Sequence, residues 1–338
     1  MLILHYKHNK MIKTIKKIGV LTSGGDSPGM NAAIRSVVRT CAYYKVECLG
    51  IYRGYQGMIE GDFKDMGPRS VHNIVNKGGT ILKSARSKEF MTPEGRKKAF
   101  DNLTKEGVDA LVVIGGDGSF TGALVFNKEF GMPVMGIPGT IDNDIFGTSH
   151  TLGFDTALNT VVEVIDKIRD TASSHNRLFL VEVMGRDAGH IALNAGIGAG
   201  AEEILIPEEN MGLDRLLESL RRSKLSGKSS SIVVIAEGDK IGKSVFELKD
   251  YIDQNLPEYE VRVSVLGHMQ RGGSPSCFDR VLASRLGVKS VESLLEGKSG
   301  YMVGLHNDKV ELTPLEQAIK GHSEIDKELL KVSDIMSI

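Results

Sequence analysis

The sequence predicts an α/β protein made of two doubly wound, mostly parallel αβα sandwich domains. Short apolar runs alternate with helix-like segments along almost the whole chain. The runs are apolar at nearly every position, as in strands that are buried on both faces of a parallel sheet. Glycine-rich loops of variable length and additional helices favour two open sheets over a single (β/α)₈ barrel, which the same alternation could also form.

Each predicted strand is a short aliphatic or β-branched run that ends at polar residues or glycine. In chain order these runs are Ile18–Leu21, Val46–Tyr52, Ala110–Ile114, Pro133–Ile137, Leu178–Val183, Glu203–Ile206, Ser231–Ala236 and Val261–Val265. The segments between them have the length and mixed polarity of helices that cover a sheet. We place these helices near Asn31–Tyr44, Pro93–Lys105, Ser119–Phe130, Phe154–Thr171, Ala188–Ala199, Leu213–Leu225, Val245–Gln254 and Ser276–Leu295.

Composition argues against nucleic-acid and membrane partners. The 338 residues are 41% hydrophobic and 25% charged, with a net charge of −1, so the basic excess of a nucleic-acid-binding or polybasic membrane protein is missing. No apolar stretch reaches the roughly 18 residues that span a bilayer. The cysteines, Cys41, Cys48 and Cys277, have no CxxC spacing. We therefore expect a reduced, cytoplasmic protein without a disulfide framework or zinc site. Met11 precedes the first predicted strand, and we expect residues 1–10 to be an extension.

Two glycine-rich segments follow predicted strands and carry most of the chemistry. Gly115–Ser119 reads Gly-Gly-Asp-Gly-Ser, and Pro138–Asp144 reads Pro-Gly-Thr-Ile-Asp-Asn-Asp. Glycine lets backbone N–H groups approach anionic oxygens, and a helix N-terminus adds favourable partial charge. Asp117, Asp142 and Asp144 beside such a phosphate cradle suggest a bridging divalent cation or a proton acceptor, and hence phosphoryl transfer. Tight βα turns with aspartate as helix N-cap are the structural alternative.

A third loop, Thr22–Asn31, is also rich in glycine and hydroxyl residues and follows the first predicted strand. It suggests a further phosphate contact, although a purely structural loop would look similar. No Gly-Lys-Ser/Thr triplet follows these loops, so a Walker-type P-loop is excluded. Thr121 occupies the third glycine position of a dinucleotide fingerprint, so that motif is a weak match.

Cationic residues cluster at predicted strand ends and loops. They are Arg177, Arg186, Arg262, His268 and Arg271. The guanidinium group fits phosphate oxygens with a rigid fork of donors. Any one of these residues alone could be an ordinary surface or ion-pair residue, but as a set they favour an anionic ligand.

Together the motifs resemble the bacterial ATP-dependent 6-phosphofructokinase family. The resemblance is carried in the family's order by Thr22–Asn31, Gly115–Ser119, Pro138–Asp144, Arg169–His175, Val183–Arg186 and Leu266–Pro275. It covers nearly the whole chain. It implies a phosphofructokinase-like fold and transfer of the γ-phosphoryl group of ATP to the 1-hydroxyl of fructose 6-phosphate, the committed step of glycolysis.

The resemblance also implies residue roles. Asp142 would accept the proton of the sugar hydroxyl, while Thr140 and Arg186 would stabilise the phosphoryl group during transfer. Mg²⁺ would be held by Asp117 with help from Asp144. The implied nucleotide contacts are Gly24, Arg86, Gly116, Asp117, Gly118, Ser119 and Gly122. The implied sugar-phosphate contacts are Thr140, Asp142, Asp144, Arg177, Met184, Gly185, Arg186, Glu237, Arg262, His268 and Arg271.

A homotetramer with shared active sites is a further implication, because Arg177 and Arg262 would reach in from a neighbouring subunit. Residues 1–153 with 268–320 would form the nucleotide-binding domain, and residues 154–267 with 321–338 the sugar-phosphate-binding domain. Family members commonly respond to ADP or phosphoenolpyruvate at an interfacial site. Its positions here are Arg35, Arg39, Arg169, Glu202 and Lys228. Pro68 and Ser226 replace usual basic residues, so we expect a weakened or altered effector response.

Three other functions remain open at this stage: a pyrophosphate-dependent enzyme of the same fold, a lipid or NAD kinase, and a non-catalytic nucleotide sensor. The pyrophosphate-dependent branch typically has aspartate in place of Gly118 and lysine in place of Gly139, so the glycines found here favour ATP. The second group of cations and the Pro138–Asp144 motif argue against a lipid or NAD kinase, and the intact set of aspartates argues against a sensor.

Overall fold

The computed structural model describes residues 15–172, 177–209, 212–226, 231–241 and 244–336. The strands, numbered β1 to β11 in chain order, are Lys17–Thr22, Glu47–Ile51, Phe63–Asp65, Ala110–Gly115, Val134–Pro138, Arg177–Val183, Glu203–Leu205, Ser231–Ala236, Glu260–Val265, Tyr301–His306 and Lys309–Pro314. The helices α1 to α11 are Met30–Tyr43, Gly54–Glu60, Pro93–Lys105, Asp117–Phe130, Phe154–Ala172, His190–Gly198, Leu213–Leu225, Val245–Asn255, Cys277–Leu295, Leu315–Lys320 and Lys327–Met336. Short 3₁₀ helices lie at Glu89–Met91 and Gly267–Arg271.

The strands of these residues form two sheets, which confirms the predicted fold class. The first has the order β11-β10-β5-β4-β1-β2-β3, and the second has the order β7-β8-β6-β9. The second sheet is parallel throughout. In the first sheet β10, β5, β4, β1 and β2 are parallel, and only the edge strands β3 and β11 are antiparallel to their neighbours.

The central strand β4 shows why the first sheet is covered on both faces. Val112 and Ile114 belong to the core on one side, against α1 and α9, whereas Leu111 and Val113 belong to the core on the other side. Alternate residues of a strand point to opposite faces, so an all-apolar strand needs a helix layer on each side. Burial of each such aliphatic side chain contributes about 1.5–3 kcal/mol.

The structure adds elements that the sequence analysis did not predict, namely β3, β10, β11, α2, α10 and α11. Strands β10 and β11 form an antiparallel hairpin in which Asn307 and Asp308 both adopt left-handed φ values of 46° and 59°. Asparagine and aspartate tolerate this conformation better than most residues, so the Asn-Asp pair was an available signal. The ends of the predicted elements lie within two residues of those observed. Within the described ranges, no helix combines the length and apolar character needed to cross a bilayer.

Candidate active site

Loops from the two sheets meet at Asp142. Arg186 Nε lies 4.0 Å from Asp142 Oδ2, and Arg271 Nη2 lies 3.9 Å from Asp142 Oδ1. Asp142 follows β5 of the first sheet, whereas Arg186 and Arg271 follow β6 and β9 of the second. The carboxyl ends of the two sheets therefore face a common cleft, which is where open α/β sheets bind ligands.

Local hydrogen bonds fix the loop that carries Asp142. Asn143 has a left-handed φ of 54°, and its side chain donates to Ser149 O at 3.2 Å and accepts from Thr151 N at 2.8 Å. Thr140 Oγ1 accepts from the Asp142 N–H at 3.2 Å, and the Thr151 hydroxyl donates to Thr140 O at 2.6 Å. The sequence analysis missed Asn143 and Thr151, although asparagine between two aspartates is a signal for a left-handed turn.

Three carboxylates share this part of the cleft. One oxygen of Asp117 and one of Asp142, Oδ1 in both, are buried and accept no hydrogen bond from the described residues. Burial, followed by the charge of Asp144, raises the pKa of Asp117 to about 6. Burial and the charge of Asp142 raise the pKa of Asp144. Unpartnered carboxylate oxygens in mutual repulsion would be stabilised by a cation.

These carboxylates fit a magnesium ion that is shared with a phosphate ligand. In the described ranges no three acidic, histidine or cysteine side chains converge closely enough to hold a metal by themselves. Mg²⁺ is usually bound by one or two carboxylates together with substrate phosphates and water. The orphaned oxygen of Asp117, with Asp144 nearby, matches that mode of binding.

The predicted phosphate cradle surrounds Ser119, near the start of α4. A Cβ added to Gly115 would lie 2.5 Å from Ser119 Oγ, and one added to Gly24 would lie 3.4 Å from the same atom. The Gly115 Cβ would also lie 2.5 Å from Ser23 O, so glycine at this position lets the β1 and β4 loops approach each other. Tyr55 packs against Gly122 and donates a hydrogen bond to Ser119 O. Ser119 and Phe120 donate their N–H groups to Gly116 O, which leaves the N–H groups of Asp117 and Gly118 without an intrahelical acceptor. Such a helix N-terminus favours an anionic ligand.

The Met184–Arg186 loop is supported from the second sheet. Arg186 has a left-handed φ of 56°, a conformation that costs about 1–3 kcal/mol in a non-glycine residue. Glu237 Oε1 accepts from Gly185 N at 3.3 Å and from Arg186 N at 2.7 Å, and these bonds offset the strain. Gln270, which is fully buried and which the sequence analysis missed, accepts from Met184 N at 3.2 Å. The Arg186 side chain is 64% exposed and is available to a ligand.

The Arg271 side chain extends from the end of the second sheet to the Thr22–Asn31 loop of the first. Its Nη1 donates to Asp26 O at 3.3 Å, and a Cβ on Gly25 would lie only 2.8 Å from that nitrogen. His268 lies in the same short helix and is exposed. Arg86 is exposed in the loop between β3 and α3.

Arg177 and Arg262 do not enter this cleft. Both bind the Glu260 carboxylate at the amino end of β9, with Arg177 Nε at 3.1 Å from Glu260 Oε2. Arg186 follows the opposite, carboxyl end of β6. Since a strand rises about 3.3 Å per residue, the two ends of β6 are roughly 20 Å apart. Arg262 pairs with Phe179 and so lies in the same half of the second sheet as Arg177, and their ion pairs with Glu260 hold both arginines away from Asp142.

The predicted effector residues form two separate groups. Arg35 and Arg39 line a groove of about 310 Å³ between α1 and α9, and burial together with the charge of Arg39 lowers the pKa of Arg35. Arg169 lies instead beside the second sheet, with its Nη1 3.6 Å from Glu202 Oε1 and its Nη2 donating to the carbonyls of residues 199 and 200. Lys228 lies outside the described residues.

Comparisons with known proteins point to one family. The family described as phosphofructokinase matches residues 17–294. The ATP-dependent 6-phosphofructokinase of Bacillus pumilus (strain SAFR-032) is 55% identical over 325 residues, which cover 96% of this chain and 100% of that protein.

Solved structures give the same fold. Phosphofructokinase from Saccharomyces cerevisiae aligns with a TM-score of 0.86 and 38% identity over 90% of this chain, which spans 45% of that longer chain. A pyrophosphate-dependent phosphofructokinase from Marinobacter aquaeolei aligns with a TM-score of 0.81 over 95% of this chain and 91% of its own, but with 20% identity. At that identity the likeness extends to the fold and not to the phosphoryl donor.

Proposed function

The chain belongs to the phosphofructokinase family, and on that premise we propose how its residues transfer the γ-phosphoryl group of ATP to the 1-hydroxyl of fructose 6-phosphate. Near-full-length relatives named ATP-dependent 6-phosphofructokinase support this reaction, which yields fructose 1,6-bisphosphate and ADP as the committed step of glycolysis. The observation that carries the proposal is Asp142, an almost fully buried carboxylate that lies between two arginines and whose Oδ1 accepts no hydrogen bond from the described residues.

Asp142 acts as the base. Its carboxylate, one oxygen of which accepts no hydrogen bond from the described residues, accepts the proton of the sugar 1-hydroxyl while the hydroxyl oxygen bonds to the γ-phosphorus. The bond from that phosphorus to the β–γ bridging oxygen breaks, and ADP leaves. Arg186 and Thr140 lie next to Asp142 and stabilise the charge that spreads over the phosphoryl oxygens. The fixed Thr140–Thr151 loop keeps the base in place during this step.

ATP binds across the cradle formed by the β1 and β4 loops and the start of α4. Gly24, Gly116, Gly118, Ser119 and Gly122 shape it, and Arg86 contacts the nucleotide from its exposed loop. Asp117 and Asp144 would hold Mg²⁺ together with the nucleotide phosphates. When bound, the ion neutralises phosphate charge and orients the γ-phosphoryl group.

The 6-phosphate of the sugar is bound by cations from two chains. His268 and Arg271 come from the chain that supplies Asp142, with Met184, Gly185 and Glu237 forming the adjoining wall. Arg177 and Arg262 come from a neighbouring subunit of a homotetramer; this is supported by their ion pairs with Glu260 in the amino-terminal halves of β6 and β9, away from the cleft of their own chain. The division into a nucleotide domain and a sugar-phosphate domain, with the boundaries predicted above, stays a prediction.

Regulation by ADP or phosphoenolpyruvate and a cytoplasmic location are also part of the proposal. The effector site would unite Arg35 and Arg39 of one chain with Arg169 and Glu202 of another. Within one chain, the first pair lies between α1 and α9 on the first sheet, whereas the second pair lies beside the second sheet. This arrangement again requires an assembly of subunits.

A coupled assay with fructose 6-phosphate tests the function directly. We expect turnover with ATP and Mg²⁺, and negligible turnover with pyrophosphate or without a divalent cation. Asp142→Asn should lower kcat by roughly 10²–10⁴-fold and change the KM for the sugar far less, because the base acts in the transition state. Comparable rates with pyrophosphate, or a near-normal kcat in Asp142→Asn, would overturn the proposal.

A further inference from the structure

A short segment near the C-terminus packs directly on the loop that carries Asp142 and Asp144, which is called here the catalytic loop. This segment, Gly321–Ser323, connects α10 to α11 and is called here the strap. His322 pairs with Ile145 in an antiparallel bridge, and the Ser323 N–H donates to Asp144 O at 3.2 Å. A Cβ on Gly321 would lie 2.5 Å from the Phe146 ring. The strap therefore contacts three successive residues of the loop that carries Asp144.

His190 holds the strap from the other side. This histidine begins α6, is only 6% exposed, and has its Nε2 3.4 Å from Ser323 O. Since Ser323 O is a carbonyl, the contact is a hydrogen bond when Nε2 carries the proton. Ser323 thus receives a hydrogen bond at its carbonyl and donates one through its N–H, which links His190 to the backbone of Asp144.

The two sides of the catalytic loop are fixed by different groups. Asn143 and Thr151 anchor the side nearer Asp142. The strap supplies the contacts on the side of Asp144, and its own position depends on α6 through His190.

We propose that His190 is a positioning residue that, through the strap, sets the place of Asp144 for the divalent cation of the nucleotide complex. The inference rests on the proposed function. Groups that orient metal-binding side chains typically change metal affinity by about 10–100-fold when removed. His190 acts through one intervening residue, so we expect a smaller effect of about 5–10-fold.

The test measures binding without turnover. Mn²⁺ is titrated into the full chain saturated with the ATP analogue that has nitrogen between the β- and γ-phosphates, and free Mn²⁺ is followed by electron paramagnetic resonance. His190→Ala should raise the Mn²⁺ dissociation constant by about 5–10-fold and leave the KM for fructose 6-phosphate within about twofold. His150→Ala is the control, because His150 packs against Phe154 and Phe278 and should leave Mn²⁺ affinity unchanged.

Two amide variants separate the effect of the His190 hydrogen bond from the effect of its packing. The amide nitrogen of His190→Gln can occupy the place of Nε2 and should restore Mn²⁺ affinity to within about twofold, whereas His190→Asn places its amide near Nδ1 and should behave like alanine. Gly321→Ala, which displaces Phe146, should weaken Mn²⁺ binding independently. Unchanged Mn²⁺ affinity in His190→Ala and Gly321→Ala, or equal behaviour of the glutamine and asparagine variants, would overturn the inference. Absence of sugar phosphorylation by the unmodified chain would instead refute the proposed function.

Discussion

Gly118→Asp is the substitution that most directly tests where the nucleotide phosphates lie. Gly118 is exposed near the start of α4, and a Cβ there meets no atom within 4 Å. The fold can therefore accept a side chain at this position. A carboxylate in the first turn of a helix is itself favourable by about 0.3–1 kcal/mol. Loss of activity in this variant would not arise from loss of folding.

The expected penalty comes from like charge. If the phosphates lie over the start of α4, we take the separation between the new carboxylate and a phosphate oxygen as about 5 Å for the Coulomb energy. At an effective dielectric constant of about 20–80, the repulsion is about 1–3 kcal/mol, which corresponds to a 5- to 150-fold loss of affinity for ATP. The same carboxylate should have little effect on binding of the sugar 6-phosphate, because His268 and Arg271 follow β9 of the second sheet.

The assay compares Gly118→Asp with Gly118→Asn, which has the same shape without the charge, and with Gly118→Ala. We expect kcat/KM for ATP to fall strongly only in the aspartate variant, while melting temperatures of all variants stay close to that of the unmodified chain. An equal loss in the asparagine variant would indicate a steric effect. ATP affinity within about twofold of normal in Gly118→Asp would show that the phosphates lie elsewhere.

Three further predictions concern charge and assembly. Mixing Arg262→Ala chains with Asp142→Asn chains should restore activity in hybrids shown to have formed, because some sites receive both intact residues; inactive hybrids would contradict a shared site. Burial raises the pKa of Asp117 from 3.8 to about 6, so the stabilisation from its bound proton is lost as pH rises through about 6. Asp117→Asn should therefore raise the melting temperature without Mg²⁺ more at pH 8 than at pH 5, and equal shifts at both pH values would refute this. Arg35→Ala should diminish the response of the sugar saturation curve to millimolar ADP or phosphoenolpyruvate, and an unchanged strong response would place the effector site elsewhere.

The central strands and phosphate loops could be predicted because their signals are local. An all-apolar run such as Ala110–Gly115 can be buried only between two helix layers, and its glycine-rich continuation marks the ligand edge of the sheet. The hairpin β10–β11 escaped prediction because its second strand is half exposed and carries charged residues. The second strand forms because its backbone pairs with β10, and not because its residues favour a strand.

The hydrogen bonds and ion pairs that fix the elements around the site could not be predicted, because they join residues that are far apart in the sequence. Glu260 meets Arg177 only because β6 and β9 are neighbours in register, although the two residues are 83 positions apart in sequence. Asp279 of α9 accepts a hydrogen bond from Gly153 N at the start of α5, 126 residues away. Such contacts depend on the relative placement of whole elements, which no local pattern encodes.

The two glycines that favour ATP are not equivalent once their surroundings are known. A Cβ on Gly139 would lie 3.1 Å from both Ile114 Cγ2 and Met30 Cε, so a larger residue there would need these buried side chains to shift by a few tenths of an ångström. The effect of a lysine at this position would therefore combine a packing cost with any contact to an inorganic donor. Gly118, in contrast, faces open space, and nothing in the fold of the described residues requires glycine there. Gly118 is therefore the cleaner position at which to test the preference for ATP, because the ligand and not the protein would meet the added side chain.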